Sequence, residues 1–406
     1  MTLIERLRSG DIPSPSDLLD SLARHFPLIA EMESTPQDPE WHDEGNVRIH
    51  TEMVLSEMGR LLNIAKIEPS PAETVILLVG AALHDIGKTI TTREEEVDGR
   101  LRIISPHHPE RGRSYVAPLI GGLGFTPVEI SGILGLIRHH HDVSKLVYRN
   151  SGQHRFTRLS RIVAPGLLYQ FEQCDLRGRI CSDLDDKLEI LELFRIETEN
   201  HQLWHGEDPY RAWRESLSAQ IAEPEEYHYV LNRAIFEYEN HLINSPEEAL
   251  AKTWDHRRNH CTVTIVSAPS GSGKSTFLQT LSDDETEIIS LDAIREELTG
   301  RRSDQSKNGQ VIQLAKERLR DALRNKRNVL WDTTGLRRDG RAMVSGLAHD
   351  YHAATRIVAL GVPPETAAKR NRDRPDQVPA SVLEKQYRQW QWPDLWEAHQ
   401  VDHHYF

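Results

Sequence analysis

The run CTVTIVSAPSGSGKST, residues 261–276, constrains the fold of this chain more than any other segment. Its first part is β-branched and reads as a strand, its middle is a Gly-rich turn, and the following STFLQTL reads as a helix. Ala268, Gly273, Lys274 and Ser275 carry the spacing of a phosphate-binding loop, with Ala268 where the first glycine usually stands. In that geometry backbone N–H groups of the loop and helix start, around Gly271, Gly273 and Thr276, cradle phosphates. Lys274 reaches the β and γ oxygens and Ser275 holds Mg²⁺. The expected cofactor is ATP or another nucleoside triphosphate with Mg²⁺.

The strand-then-helix pattern repeats. EIISL (287–291), NVLWD (328–332) and TRIVALGV (355–362) are short apolar strands, each followed by a helical stretch, which predicts an α/β fold with a parallel sheet. Upstream the pattern is almost entirely helical: VRIHTEMVLSEMGRLLNIA and AETVILLVGAAL place apolar residues three and four apart. LRIIS (101–105), after the acidic turn EEEVDGR, is the only strand candidate there. NSPEEAL (244–250) reads as a capped helix start with Pro in its first turn. At 406 residues the chain exceeds one hydrophobic core. The expectation is multidomain: an all-α domain over residues 1–250, then an α/β domain with a parallel sheet over 251–406.

A formal net charge of −13 argues against a protein that coats nucleic acid through a general positive field. The basic pieces RNKRN (324–328), GLRRDGR (335–341) and AAKRNRDRP (367–375) each read, taken alone, as solvated helix faces. The N-terminus carries no apolar run of secretory type, and no stretch approaches the roughly 18 consecutive apolar residues of a membrane span. Cys174, Cys181 and Cys261 form no CxxC pair. These features predict a cytoplasmic protein with no membrane partner.

His50, His84, Asp85, His108, His140 and Asp175 each sit in or beside a helical segment. One histidine alone is more often core or surface, but this set, with an adjacent His-Asp pair, suits Mn, Fe, Co, Ni or Zn. Its local wording resembles the HD phosphohydrolase superfamily: WHDEGNVRIHT (41–51), ALHDIGK (82–88), HPERGR (108–113), LIRHHHD (136–142) and QCDLRGR (173–179). The resemblance implies phosphoester hydrolysis with one or two divalent metals. His50, His84, Asp85 and Asp175 would hold one, and Asp85, His108 and His140 the second. His139 and His141 compete with His140, and His107 with His108. Lys88 stands either near substrate phosphate or in a helix C-terminal signal. His42 either supports the site or packs beside Trp41.

In SLDAIREEL (290–298), Asp292 and Arg295 fall on one helix face. There an aspartate can accept a proton from a hydroxyl and an arginine can grip an anion; the alternative is a helix cap followed by a surface arginine. Asp332 ends a strand, where a carboxylate sits near Mg²⁺ or donor phosphates. These pieces, with the arginines of KRNRDRP (369–375), resemble the 5′-hydroxyl polynucleotide kinase family over about residues 260–390. That resemblance implies Asp292 as general base, Arg295 on the acceptor nucleotide's phosphate, and Arg374 on the donor γ-phosphate, with Arg370 and Arg372 as rivals. Tyr387, Trp390 and Trp392 either stack on a base or pack a core.

The order of the two modules resembles the bacterial bifunctional end-healing enzymes called HD-Pnk. It implies kinase action on 5′-OH RNA or DNA ends, removal of 2′,3′-cyclic, 2′- or 3′-phosphates by the helical domain, and an RNA ligase acting downstream. Helices between about 185 and 245 offer a homodimer surface. The residues alone leave other readings open: a nucleotidase fused to a nucleoside kinase, a second-messenger hydrolase with a regulatory ATPase, or a non-catalytic binding platform.

Overall fold

The computed structural model describes residues 1–64, 69–302, 304–374 and 377–406. Ala65, at the end of the first helical run, and Pro375, in the basic segment near the C-terminus, lie outside them. The chain forms two compact units, Met1–Pro209 and Tyr210–Phe406.

The first unit is helical. Its central helix, Pro71–Leu83, starts with Ser70 and Glu73 in a reciprocal cap and Pro at the first turn, and every residue from Thr74 to Leu83 is buried. The stretch Pro71–Thr91 is long and apolar enough to cross a membrane, but it is mostly buried inside the unit and serves as its core. Helix Pro127–His139 begins with the same device, Thr126 and Glu129. Helices Val47–Ile64 and Pro165–Arg177 complete the frame around the site.

The segment read as an acidic turn is a strand. β1 (Arg93–Val97) pairs antiparallel with β2 (Arg100–Ile104), and the two-residue turn is Asp98-Gly99, both at positive φ. Asp-Gly is the strong signal for such a hairpin, and it overrides the weak strand propensity of three consecutive glutamates.

The second unit contains a fully parallel sheet of β3 (Thr262–Ser267), β4 (Glu287–Ser290), β5 (Val329–Asp332), β6 (Ala354–Gly361) and β7 (Gln400–Tyr405), in the order β4-β5-β3-β6-β7. The expected α/β architecture is present, with one strand more than the apolar runs indicate. β3 lies at the reversal of strand order, and its loop leaves the carboxyl edge, where ligands bind in open α/β sheets.

The change of sequence pattern near residue 250 falls inside this unit. Tyr210, Leu217, Tyr229, Val230, Ile235 and Ala249 belong to one buried cluster on which Ala354 of β6 packs. The Tyr229 hydroxyl donates to the His352 carbonyl at 2.8 Å. Helices before the first sheet strand therefore pack with the sheet domain. The capped start at NSPEEAL is a real helix, Pro246–Thr253, with the Ser245 side chain accepting from the Glu248 amide.

Candidate functional site

In the helical unit five elements converge on one point. His50 comes from helix Val47–Ile64, His84 from the end of Pro71–Leu83 with Asp85 next to it, His108 opens helix His108–Val116, His140 ends Pro127–His139, and Asp175 lies on Pro165–Arg177. All six side chains are buried. Asp85 is the hub. Its Oδ1 is 3.1 Å from His108 Nε2 and 3.9 Å from His140 Nε2. Its Oδ2 is 3.3 Å from His84 Nε2 and 3.6 Å from His50 Nε2. Asp175 Oδ1 is 2.9 Å from His50 Nε2 and 3.6 Å from His84 Nε2.

The imidazoles share one orientation. Nδ1 of His84, His108 and His140 faces the carbonyls of Ala81, Ser105 and Ile137 at 2.8, 2.9 and 3.0 Å, and Nδ1 of His50 faces Gly178 O at 3.1 Å. Carbonyls accept, so each Nδ1 is placed to carry a proton and each Nε2 is turned inward to the carboxylates, the orientation that metal-ligating histidines usually take. His84 Nε2 and Asp85 Oδ1 are buried without a hydrogen-bond partner, an arrangement that is costly unless something binds there. His50, His84 and Asp175 place ligand atoms within 4.8 Å of one another, as do His108, His140 and His141. The donor set fits divalent metal.

The electrostatics agree. Burial opposes the charge on Asp85, yet Lys88 and the surrounding histidines hold its carboxyl well below the usual range. Asp175 is likewise held down, against burial, by Arg179 and His50. Burial lowers His108 and His140, the latter far below its ordinary value with His108 adding to the effect, which favours the uncharged imidazole at both.

The rival positions separate. His107 is exposed at a left-handed residue, whereas His108 enters the cluster. His139 Nδ1 pairs with Asp142 at 2.7 Å, while His140 and His141 both face His108. Lys88 is buried, 2.7 Å from Asp85 and 2.6 Å from Gln37 Oε1. His42 reaches Glu44 Oε1 at 2.7 Å, and the same oxygen lies 3.0 Å from His50 Nδ1, so His42 is linked to the cluster rather than merely packed beside Trp41. Burial lowers the His42 pKa to about 4.

Gly87 sets the approach of the third histidine. A Cβ there would be driven into the His108 carbonyl oxygen and lie 2.7 Å from the Gly112 amide nitrogen. Gly87→Ala is expected to destabilise the helical unit by about 1–3 kcal/mol and to weaken metal binding, read by thermal melting and by metal titration.

Three participants escaped sequence reading. Arg179 is ion-paired with Asp175 at helical i,i+4 spacing, a legible signal. Glu44 stands two residues after His42 with no pattern of its own. Glu172, buried one turn before Asp175, is raised well above the carboxylate range by burial and by that neighbour.

In the sheet unit β3 pairs directly with β5, so no strand separates the loop from Asp332, and Lys274 and Asp332 are ion-paired. Gly271 and Gly273 have φ of +79° and +86°. A Cβ at Gly271 would enter the Ala367 carbonyl, whereas the space over Gly273 is open as far as Arg370 Nη1 at 3.8 Å. Arg370, exposed like its rivals Arg372 and Arg374, is the one of the three that this contact places beside the loop. Ser275 and Thr276 follow Lys274 in the first turn of helix Lys274–Leu281.

Helix Leu291–Thr299 is capped by Ser290, whose side chain accepts from the Ala293 amide, so Asp292 is not the cap. Asp292 and Arg295 are ion-paired, with side-chain exposures of 70% and 11%. The carboxylate is open to an incoming group while the arginine is held, its Nη1 also donating to Arg302 O at 3.2 Å. Trp390 and Trp392 are buried, and Trp390 Nε1 donates to Ser267 Oγ at 2.9 Å. The aromatic pair is core. Two basic pieces are spent in part: Arg341 is buried against Glu397 and the Gly335 and Leu336 carbonyls, and Arg327 pairs with Glu287 and Asp321, while Arg324 and Arg337 are exposed.

A buried histidine-carboxylate cluster in a helical unit, followed by a phosphate-binding loop on a parallel sheet, defines a fusion of a phosphohydrolase-type domain with a P-loop kinase-like domain. Residues 47–190 match the family model described as HD domain, and residues 263–393 match the one described as AAA domain. No curated protein matches the chain.

Proposed function

We propose that this chain heals nucleic-acid ends. The sheet domain transfers a phosphoryl group from a nucleoside triphosphate to a 5′-hydroxyl, and the helical domain removes 2′,3′-cyclic, 2′- or 3′-phosphates. The observation that carries the reading is the presence, in one chain, of two unlike phosphoryl sites, one built to hydrolyse and one to donate. Cleaved RNA bearing a cyclic phosphate and a 5′-hydroxyl needs both operations, and the products are what a ligase joins. Unpaired cysteines suit the reducing cytoplasm. The net charge of −13 favours a short end over a long strand as the bound element.

In the helical domain His50, His84, Asp85 and Asp175 would hold one metal, and Asp85, His108 and His140, with His141 beside them, a second. When bound, such metals polarise phosphoryl oxygens and lower the pKa of water. Arg179 fixes Asp175, Glu44 and the Gly178 carbonyl fix the tautomer of His50, and Lys88 balances the charge of Asp85. In the kinase domain the loop amides and Lys274 hold the donor phosphates, Ser275 and Asp332 attend Mg²⁺, and Arg370 faces the transferring group. Asp292 takes the proton of the attacking hydroxyl.

The test pairs two substrates. The full chain is given a 5′-OH oligonucleotide with labelled ATP and, separately, an oligonucleotide ending in a 2′,3′-cyclic phosphate with Mn²⁺, Ni²⁺ or Co²⁺. Asp292→Asn is expected to slow transfer by roughly 10²-fold while nucleotide binding persists. Labelling of free nucleosides but not oligonucleotides would replace end healing by nucleotide metabolism.

A further inference from the structure

A cavity of about 220 Å³ opens in the helical unit beside the metal-type cluster. One wall is continuous with that cluster. His141 lines the cavity and stands 4.3 Å from His140 and 4.9 Å from His108, ring centre to ring centre. Arg179 lines it too and is bound to Asp175. The cavity therefore lies next to the cluster, within reach of a group attached to whatever the cluster holds.

The cavity is chemically differentiated. Glu172 lines it, is 6% exposed, and its Oε2 is buried with no hydrogen-bond partner. Such an atom calls for a ligand group able to hydrogen-bond it. Tyr148 also lines it and is 69% exposed, so the ring has a face available for stacking. Lys187 adds positive charge, 2.9 Å from Asp183 and a quarter exposed. The volume falls below the roughly 300–1,000 Å³ of pockets that enclose drug-sized ligands, which leaves room for no more than one nucleoside.

We propose that this cavity is the nucleoside subsite of the phosphohydrolase centre, taking the terminal nucleoside that bears the phosphate. Glu172 hydrogen-bonds a sugar hydroxyl, Tyr148 stacks on the base, and Lys187 faces the neighbouring phosphate. The assignment rests on the reading of the helical domain as a hydrolase. It makes the domain selective for nucleotides over simple phosphoesters, because the contacts lie away from the reacting phosphorus.

The experiment compares adenosine 3′-phosphate with p-nitrophenyl phosphate, using the full chain loaded with Mn²⁺ and the variants Tyr148→Ala, Glu172→Ala and Glu172→Gln. Loss of a base–aromatic stack is expected to cost about tenfold in kcat/KM on the nucleotide relative to the simple ester. Glu172→Ala should show a similar selective loss, and Glu172→Gln, which keeps hydrogen-bonding capacity, should recover most of it. Metal content of each variant shows that the neighbouring cluster is intact. Equal losses on both substrates, or a wild type that hydrolyses the ester but not the nucleotide, overturn the subsite and leave the hydrolase standing. A wild type that hydrolyses neither overturns both.

Discussion

Asp85→Ala should abolish phosphohydrolysis by roughly 10³-fold or more, the equivalent of about 4 kcal/mol of transition-state stabilisation, and leave phosphoryl transfer within about twofold of wild type. Both oxygens of Asp85 face imidazoles, His108 and His140 on one side and His84 and His50 on the other. No other carboxylate among the described residues spans the two histidine pairs, so its loss removes the one group that both pairs share. It also strands Lys88, whose ammonium lies 2.7 Å away in a buried site. Breaking a buried pair by deleting one partner costs about 3–5 kcal/mol, so Asp85→Ala should melt earlier as well. Asp85→Asn separates the effects. It keeps the volume and a hydrogen-bond acceptor for Lys88, and should regain part of the stability while remaining inactive and metal-poor by elemental analysis. An Asp85→Asn protein that binds metal and hydrolyses normally would remove the aspartate from the centre.

What the sequence discloses follows from how local each signal is. The loop of residues 268–276 is a strand, a turn and a helix start in succession, so its spacing carries its geometry, and the parallel α/β class follows from repeats of the same unit. β7 escapes because Gln400–Tyr405, QVDHHY, has no apolar run; it is an edge strand paired with β6 alone. The division at Pro209 and Tyr210 escapes for another reason. Helical periodicity shows that Tyr229, Val230 and Ile235 share an apolar face, but not which neighbours cover it. In the metal-type cluster, residue types and local wording single out six side chains that the structure brings together. Glu172 and Glu44 carry no such wording, because burial beside Asp175 or contact with His50 is a tertiary fact.

Lys274→Ala is the complementary prediction: phosphoryl transfer falls by roughly 10²–10³-fold, the usual effect of removing one preorganised charge from developing phosphoryl charge, with hydrolysis unchanged. Three local facts fix the lysine's reach. Gly273 at φ +86° turns the chain into the helix that Lys274 begins. β3 and β5 are adjacent, which brings Asp332 to the same edge, and the two side chains are ion-paired. Arg370 approaches the loop from helix Pro364–Arg372. With Lys274 gone, Asp332 loses its counter-charge and repels donor phosphates, so the Michaelis constant for ATP should rise as kcat falls. Lys274→Arg should not rescue, since a planar fork cannot replace a compact ammonium between phosphate oxygens. Arg370→Ala should lower kcat with a smaller change in ATP affinity, because its side chain lies over the loop rather than within it. Loss of hydrolysis in Lys274→Ala would mean that the two sites are coupled, and the division of chemistry between the two domains would then have to be abandoned.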